Sequence, residues 1–68
     1  MKYETKINAV IADHLDGYDP RNSDEREELI DLIKDQALQG DDILYRQLDD
    51  YTEHALDLAA QILDNQED

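Results

Sequence analysis

Residues 41–64 read DDILYRQLDDYTEHALDLAAQILD, with no glycine or proline anywhere in the run. Leu44, Leu48, Tyr51, Ala55, Leu58 and Ile62 recur at spacings of 4, 3, 4, 3 and 4, the apolar seam of a helix that packs lengthwise on partners. Turned away from that seam, Asp50, Glu53, Asp57 and Asp64 form a second stripe, and this one is anionic. Asp41 or Asp42 can cap the helix. One alternative breaks the stretch in two. Asp50 and Glu53 stand at capping-box spacing, with Asp in place of Ser or Thr, which would give a short fourth helix over about 42–48 and a longer one over about 50–64. The seam crosses Asp49-Asp50 without a phase slip, which favours one continuous helix. Its apolar width grows along the way, because Asp42 and Asp49 give way at the same flanking position to Leu56 and Leu63. The second half is therefore wider than one partner helix covers. Either it is wedged between two other helices or it continues into a dimer contact.

Working outward, residues 23–39 carry Leu29, Ile30, Leu32, Ile33, Ala37 and Leu38 as a buried side. Asn22, with Glu25 three residues on, or Ser23 alone can satisfy the free amides of the first turn. Asp24, Glu25, Glu27 and Glu28 lie near the positive end of the helix dipole. Gly40 is the expected C-terminal stop. Upstream, residues 3–16 set Tyr3, Ile7, Val10, Ile11, His14 and Leu15 on one helical face. Gly17 is expected to end that helix in the left-handed conformation, with Tyr18 folding back on its last turn. Asp19-Pro20 disfavours continuation, so residues 17–22 read as a loop. Residues 65–68 read as a charged, frayed tail. The expected architecture is all-α, a small three-helix bundle in one domain spanning residues 1–68.

At 68 residues the chain is in the range where a single core is marginal. It has no cysteine, which excludes disulfides and thiolate–metal sites. No apolar run follows Met1-Lys2-Tyr3-Glu4, and the longest one is Ala9–Ala12, so neither a signal peptide nor a membrane span is expected and the cytoplasm is the expected location. Nineteen acids against six bases give a formal charge of −13. Residues 35–68 hold ten of those acids and a single base, Arg46. Such a surface repels nucleic acid and anionic membranes and steers basic proteins toward itself.

The acids are patterned. Asp24, Glu28, Asp31 and Asp35, at spacings of 4, 3 and 4, form a stripe on the second helix that echoes Asp50, Glu53, Asp57 and Asp64 on the third. Like-charged neighbours three or four apart destabilise a helix by roughly 0.2–0.5 kcal/mol each, so the two stripes together cost about 1–2 kcal/mol at low salt. Solvated helices usually interleave Lys with Glu, and that alternation is missing here, above all after Asp35. The pattern suggests carboxylates presented to a basic, nucleic-acid-binding protein, with the stripes standing in for phosphates. Tyr45, beside Asp42 and Asp49, is the expected aromatic anchor, and Tyr51 belongs to the seam.

Other chemistries have little to stand on. His14 and His54 are the only imidazoles, and Asp50 with His54 lacks further ligands for a metal. The oxygen-rich loop of Asp13, Asp16, Asp19, Asn22 and Asp24 lacks the order of a calcium loop. Ser23 is the only serine and there is no glycine-rich phosphate loop, so neither catalysis nor a cofactor is expected. In its shortness, its lack of cysteine and its two acidic stripes, the chain resembles the small acidic phage and mobile-element proteins that counter host defence, of anti-CRISPR or DNA-mimic type. That resemblance implies an inhibitor that binds a protein rather than nucleic acid. A second reading is a helical assembly module, homodimeric or immunity-protein-like, that uses the apolar face around Leu56 and Leu63.

Overall fold

The computed structural model describes residues 2–66, which form α1 (Lys2–His14), α2 (Ser23–Leu32) and α3 (Asp42–Gln66). Among the described residues there are no strands, and the three helices make the expected all-α bundle, about 38 × 23 × 18 Å. α3 runs unbroken through Asp49-Asp50, so there is no short fourth helix. Asn65 and Gln66 are helical rather than tail, while Glu67 and Asp68 lie outside the described residues.

α1 buries Ile7, Val10 and Ile11 and stops at His14, two residues before the expected end. The amides of Gly17 and Tyr18 both donate to the His14 carbonyl, at 3.1 and 2.9 Å, and the Tyr18 ring lies 6.0 Å from the His14 ring. Tyr18 thus folds back as expected. Gly17 does not take the left-handed conformation, since among the described residues only Gln39 and Gly40 have positive φ. Pro20 is fully buried, and Asn22 caps α2 by accepting from the amides of Asp24 and Glu25 at 3.0 and 3.2 Å.

α2 closes through a wider turn over Ile33–Ala37, where the Leu38 amide reaches the Ile33 carbonyl five residues back, at 3.2 Å. The reason is in the spacing of the buried residues. Leu29, Ile33 and Ala37 recur every four positions, and an α-helix of 3.6 residues per turn drifts by about 40° at each such step. The wider turn absorbs the drift, so that Leu29, Ile33, Ala37 and Leu38 are all at most 1% exposed. The Gly40 amide then donates to the Lys34 carbonyl at 2.8 Å, six positions back and one more than a Schellman closure spans. The left-handed residues of this stop are Gln39, with φ 56°, and Gly40, with φ 76°. The expected single glycine stop is therefore a pair, and its first member carries a side chain.

Asp41 caps α3, its carboxylate accepting from the Leu44 amide at 3.0 Å. The buried line of α3 is Thr52, Ala55, Leu56 and Ala59, with Leu44, Leu48, Tyr51 and Leu63 half-buried. The expected seam is rotated, because Leu58 and Ile62 are 45% and 53% exposed. A narrow two-position seam suits one partner helix, but α3 lies closest to α1 and also meets Arg26 and Lys34 through Asp57 and Tyr45, so its buried face lies between the two. Leu56, completely buried, is the residue that fills that wedge. Thr52 is buried on the same line and satisfies its hydroxyl by donating to the Leu48 carbonyl at 2.9 Å.

Candidate functional site

Side-chain pairs fix the order in which α2 and α3 meet. The Lys34 ammonium sits 4.4 Å over the Tyr45 ring, Arg26 reaches Asp57 at 3.0 Å, and Arg21 reaches Asp64 at 2.8 Å. Residue numbers fall on one side as they rise on the other, so the two helices are antiparallel. The acidic flank of α3 lies beside α2. The α2 stripe sits roughly 130° around its own helix from Arg26 and Lys34, on the flank turned away from α3.

All eight acids of the two stripes are exposed, as are Asp42 and Asp49. Asp57 and Asp64 are engaged in the ion pairs just described, although their side chains remain 62% and 64% exposed. Such surface pairs contribute little to stability, so a competing cation displaces them at small cost. Asp24, Glu28, Asp31, Asp35, Asp42, Asp49, Asp50 and Glu53 form no ion pair among the described residues. Arg21 also clamps Asp19 through its side chain and backbone amide, and these hydrogen bonds hold that carboxyl below its ordinary value.

Tyr45 lies where α3 meets Lys34. It is half-buried rather than freely exposed. Burial raises its phenol above the usual 10.0, and the charges of Asp49, Glu53 and Asp31 raise it further. Asp49 and Glu53 of α3 and Asp31 of α2 thus act on one aromatic ring, whose face is occupied by the Lys34 ammonium.

The other flank of α3 is different and was not anticipated. Ile43, Gln47, His54, Leu58, Gln61, Ile62 and Asn65 are all exposed, and by helical geometry they lie within about 60° of Leu58 with no acid among them. Between this flank and α1 runs an open groove of about 330 Å³, lined by Asn8, Ile11, Ala12 and Leu15 on α1 and by Tyr51, His54, Ala55, Leu58, Ala59 and Ile62 on α3. The Asn8 amide donates to the Tyr51 hydroxyl at 2.8 Å and ties the groove at one end. The assembly face expected around Leu56 and Leu63 is thus not available at Leu56, and the exposed apolar residues are Ile43, Leu58 and Ile62. A helical wheel alone carries this signal, since no acid of residues 43–65 falls near Leu58.

Among the described residues no group of three or more His, Asp or Glu is placed to hold a metal, and no helix is long and apolar enough to cross a membrane. The chain matches no family model, and no curated protein or solved structure is similar to it.

Proposed function

We propose that this protein is a non-catalytic cytoplasmic inhibitor that covers the basic nucleic-acid-binding surface of another protein. The supporting observation is the set of eight exposed carboxylates that form no ion pair among the described residues, carried on two antiparallel helices. Six acids, Asp42, Asp49, Asp50, Glu53, Asp57 and Asp64, lie along α3 over about 33 Å at 1.5 Å per residue. That is about one negative charge per 5.5 Å, sparser than the roughly 3.4 Å of one nucleic-acid strand but carried on one helix flank. A protein built to track a phosphate backbone with lysines and arginines meets a line of carboxylates here, at the cost of releasing only weak surface pairs. Host-defence nucleases offer surfaces of this kind, in keeping with the resemblance to anti-CRISPR and DNA-mimic proteins.

The test is capture from a host lysate by the wild-type chain and by a variant carrying Asp31→Lys, Asp49→Lys and Glu53→Lys, with circular dichroism to establish that both are folded. The wild type is expected to retain a nucleic-acid-binding protein that the variant does not. Equal capture by both would reject the acidic flank as the binding surface.

A further inference from the structure

More than one residue in four of this chain is acidic, yet the exposed flank of α3 around Leu58 has no acid. That flank presents Ile43, Gln47, Leu58 and Ile62, and Asn8 and Ala12 of α1 face it across the groove. Two copies that each carry −13 repel each other everywhere except across such a face. We propose that this face is an isologous interface with a second copy of the chain, the two α3 helices lying antiparallel across a twofold axis at the level of Tyr51 and His54.

Three observations favour a second copy over a foreign helix. The first is charge: both sides of a self-interface must be free of acids, whereas a foreign partner could be basic and would then gain from acids around the groove. The second is register. With the axis midway between Ile43 and Ile62, Ile43 of one copy meets Ile62 of the other, Gln47 meets Leu58, and Tyr51 meets His54. Every large exposed hydrophobic of α3, including Ile43 at 72% exposure, is then covered by its twofold mate. The third is area. From Ile43 to Asn65 the flank is about 33 Å long, and α1, with 13 residues, runs beside it for about 20 Å; at roughly 10 Å of width per helix each copy offers roughly 500 Å². The total of about 1,000 Å² reaches the lower limit of specific interfaces. The acidic flank, on the α2 side of α3, stays in solvent. The inference stands apart from the proposed function, since screening by salt strengthens this contact and weakens binding to a basic partner.

Sedimentation equilibrium of the full chain at 0.1 and 0.5 M salt is the primary test. A reversible dimer is expected, with association at least several-fold tighter at the higher salt. Ile43→Asp and Leu58→Asp should each weaken it tenfold or more while leaving the helical circular dichroism intact. Because the native sequence has no cysteine, Ile43→Cys mixed with Ile62→Cys should cross-link on oxidation, whereas Ile43→Cys alone should not, its two copies being about 28 Å apart. A strict monomer at millimolar concentration in 0.5 M salt would overturn the proposal. So would a dimer that ignores both Asp variants, or one in which Ile43→Cys cross-links to itself as well as to Ile62→Cys. A monomer whose groove takes up an unrelated amphipathic peptide would also overturn it, assigning the face to a foreign helix.

Discussion

The two solvent-facing flanks of α3 belong to one helix and share one solvent, yet their compositions are opposite. One presents Asp42, Asp49, Asp50, Glu53, Asp57 and Asp64; the other presents Ile43, Gln47, His54, Leu58, Gln61, Ile62 and Asn65. Solubility alone asks for neither arrangement. A mixed surface of Lys and Glu would hydrate the helix and stabilise it through neighbouring ion pairs, whereas segregating acids on one flank makes like charges neighbours. The separation follows the packing as well. The acidic flank adjoins α2, where Arg26 and Arg21 pair with Asp57 and Asp64, and the uncharged flank borders the groove against α1. Between them, on the buried side, Leu56 holds the bundle together. A helix with one structural face thus has two free ones, and their chemistry suits partners of opposite kinds.

The largest expected effect separates the core from the groove. Leu56→Ala should cost about 2–5 kcal/mol in urea unfolding, because it empties a fully buried site between two helices. Leu58→Ala, at a position 45% exposed, should cost less than about 1 kcal/mol in dilute solution. Equal losses would mean that the groove is closed and that α3 has one free flank, not two.

Next comes the charge on the acidic flank. Replacing Glu53 by Lys should raise stability by about 0.5–1 kcal/mol at low salt, since it turns three repulsive neighbours, Asp49, Asp50 and Asp57, into attractive ones. In a domain of this size that is a rise of several degrees in Tm. Raising salt to 0.5 M should stabilise the wild type more than this variant, because screening has less repulsion left to relieve. Destabilisation by salt in the wild type would show that the surface ion pairs outweigh the repulsion.

A similar or smaller effect is expected at the turn that sets the phase of α3 against α2. Gln39→Gly should stabilise by about 0.5–1 kcal/mol, because Gln39 holds φ 56° in a position where glycine is unstrained. Gly40→Ala should destabilise by about 1 kcal/mol for the converse reason. The smallest effect belongs to Tyr45. Its phenol is raised in the folded state, so the associated stability is complete below pH 10 and is lost as pH climbs through the raised value. Tyr45→Phe should remove that alkaline component from a pH series of unfolding curves. An unchanged alkaline slope would mean that neither burial nor the charges of Asp49, Glu53 and Asp31 act on this phenol.

The three helices were legible because their apolar spacing and caps agree. Asn22 and Asp41 cap as their residue types imply, and α3 keeps its phase across Asp49-Asp50. The stripes were legible for the same reason, as exposure follows from periodicity. What escaped was set by the number of partners. The seam through Leu58 and Ile62 assumes one neighbour, and a second neighbour rotates the buried face toward Thr52 and Leu56. Thr52 is polar and stood outside every apolar pattern, and a local hydrogen bond to the Leu48 carbonyl makes its burial inexpensive. The wider turn at Ile33–Ala37 left its trace only in the four-residue spacing of Leu29, Ile33 and Ala37, and Gly40 drew the left-handed assignment away from Gln39. The pairing of Asp57 and Asp64 with arginines far away in sequence required the fold.

The central claim is that the acidic flank occupies a nucleic-acid site on its partner. The most direct measurement is competition: the captured partner, loaded with labelled duplex DNA or RNA, titrated with this protein at several salt concentrations. The account predicts mutually exclusive binding, with displacement that weakens steeply as salt rises and is absent for the variant carrying Asp31→Lys, Asp49→Lys and Glu53→Lys. A stable ternary complex of partner, nucleic acid and this protein would contradict it.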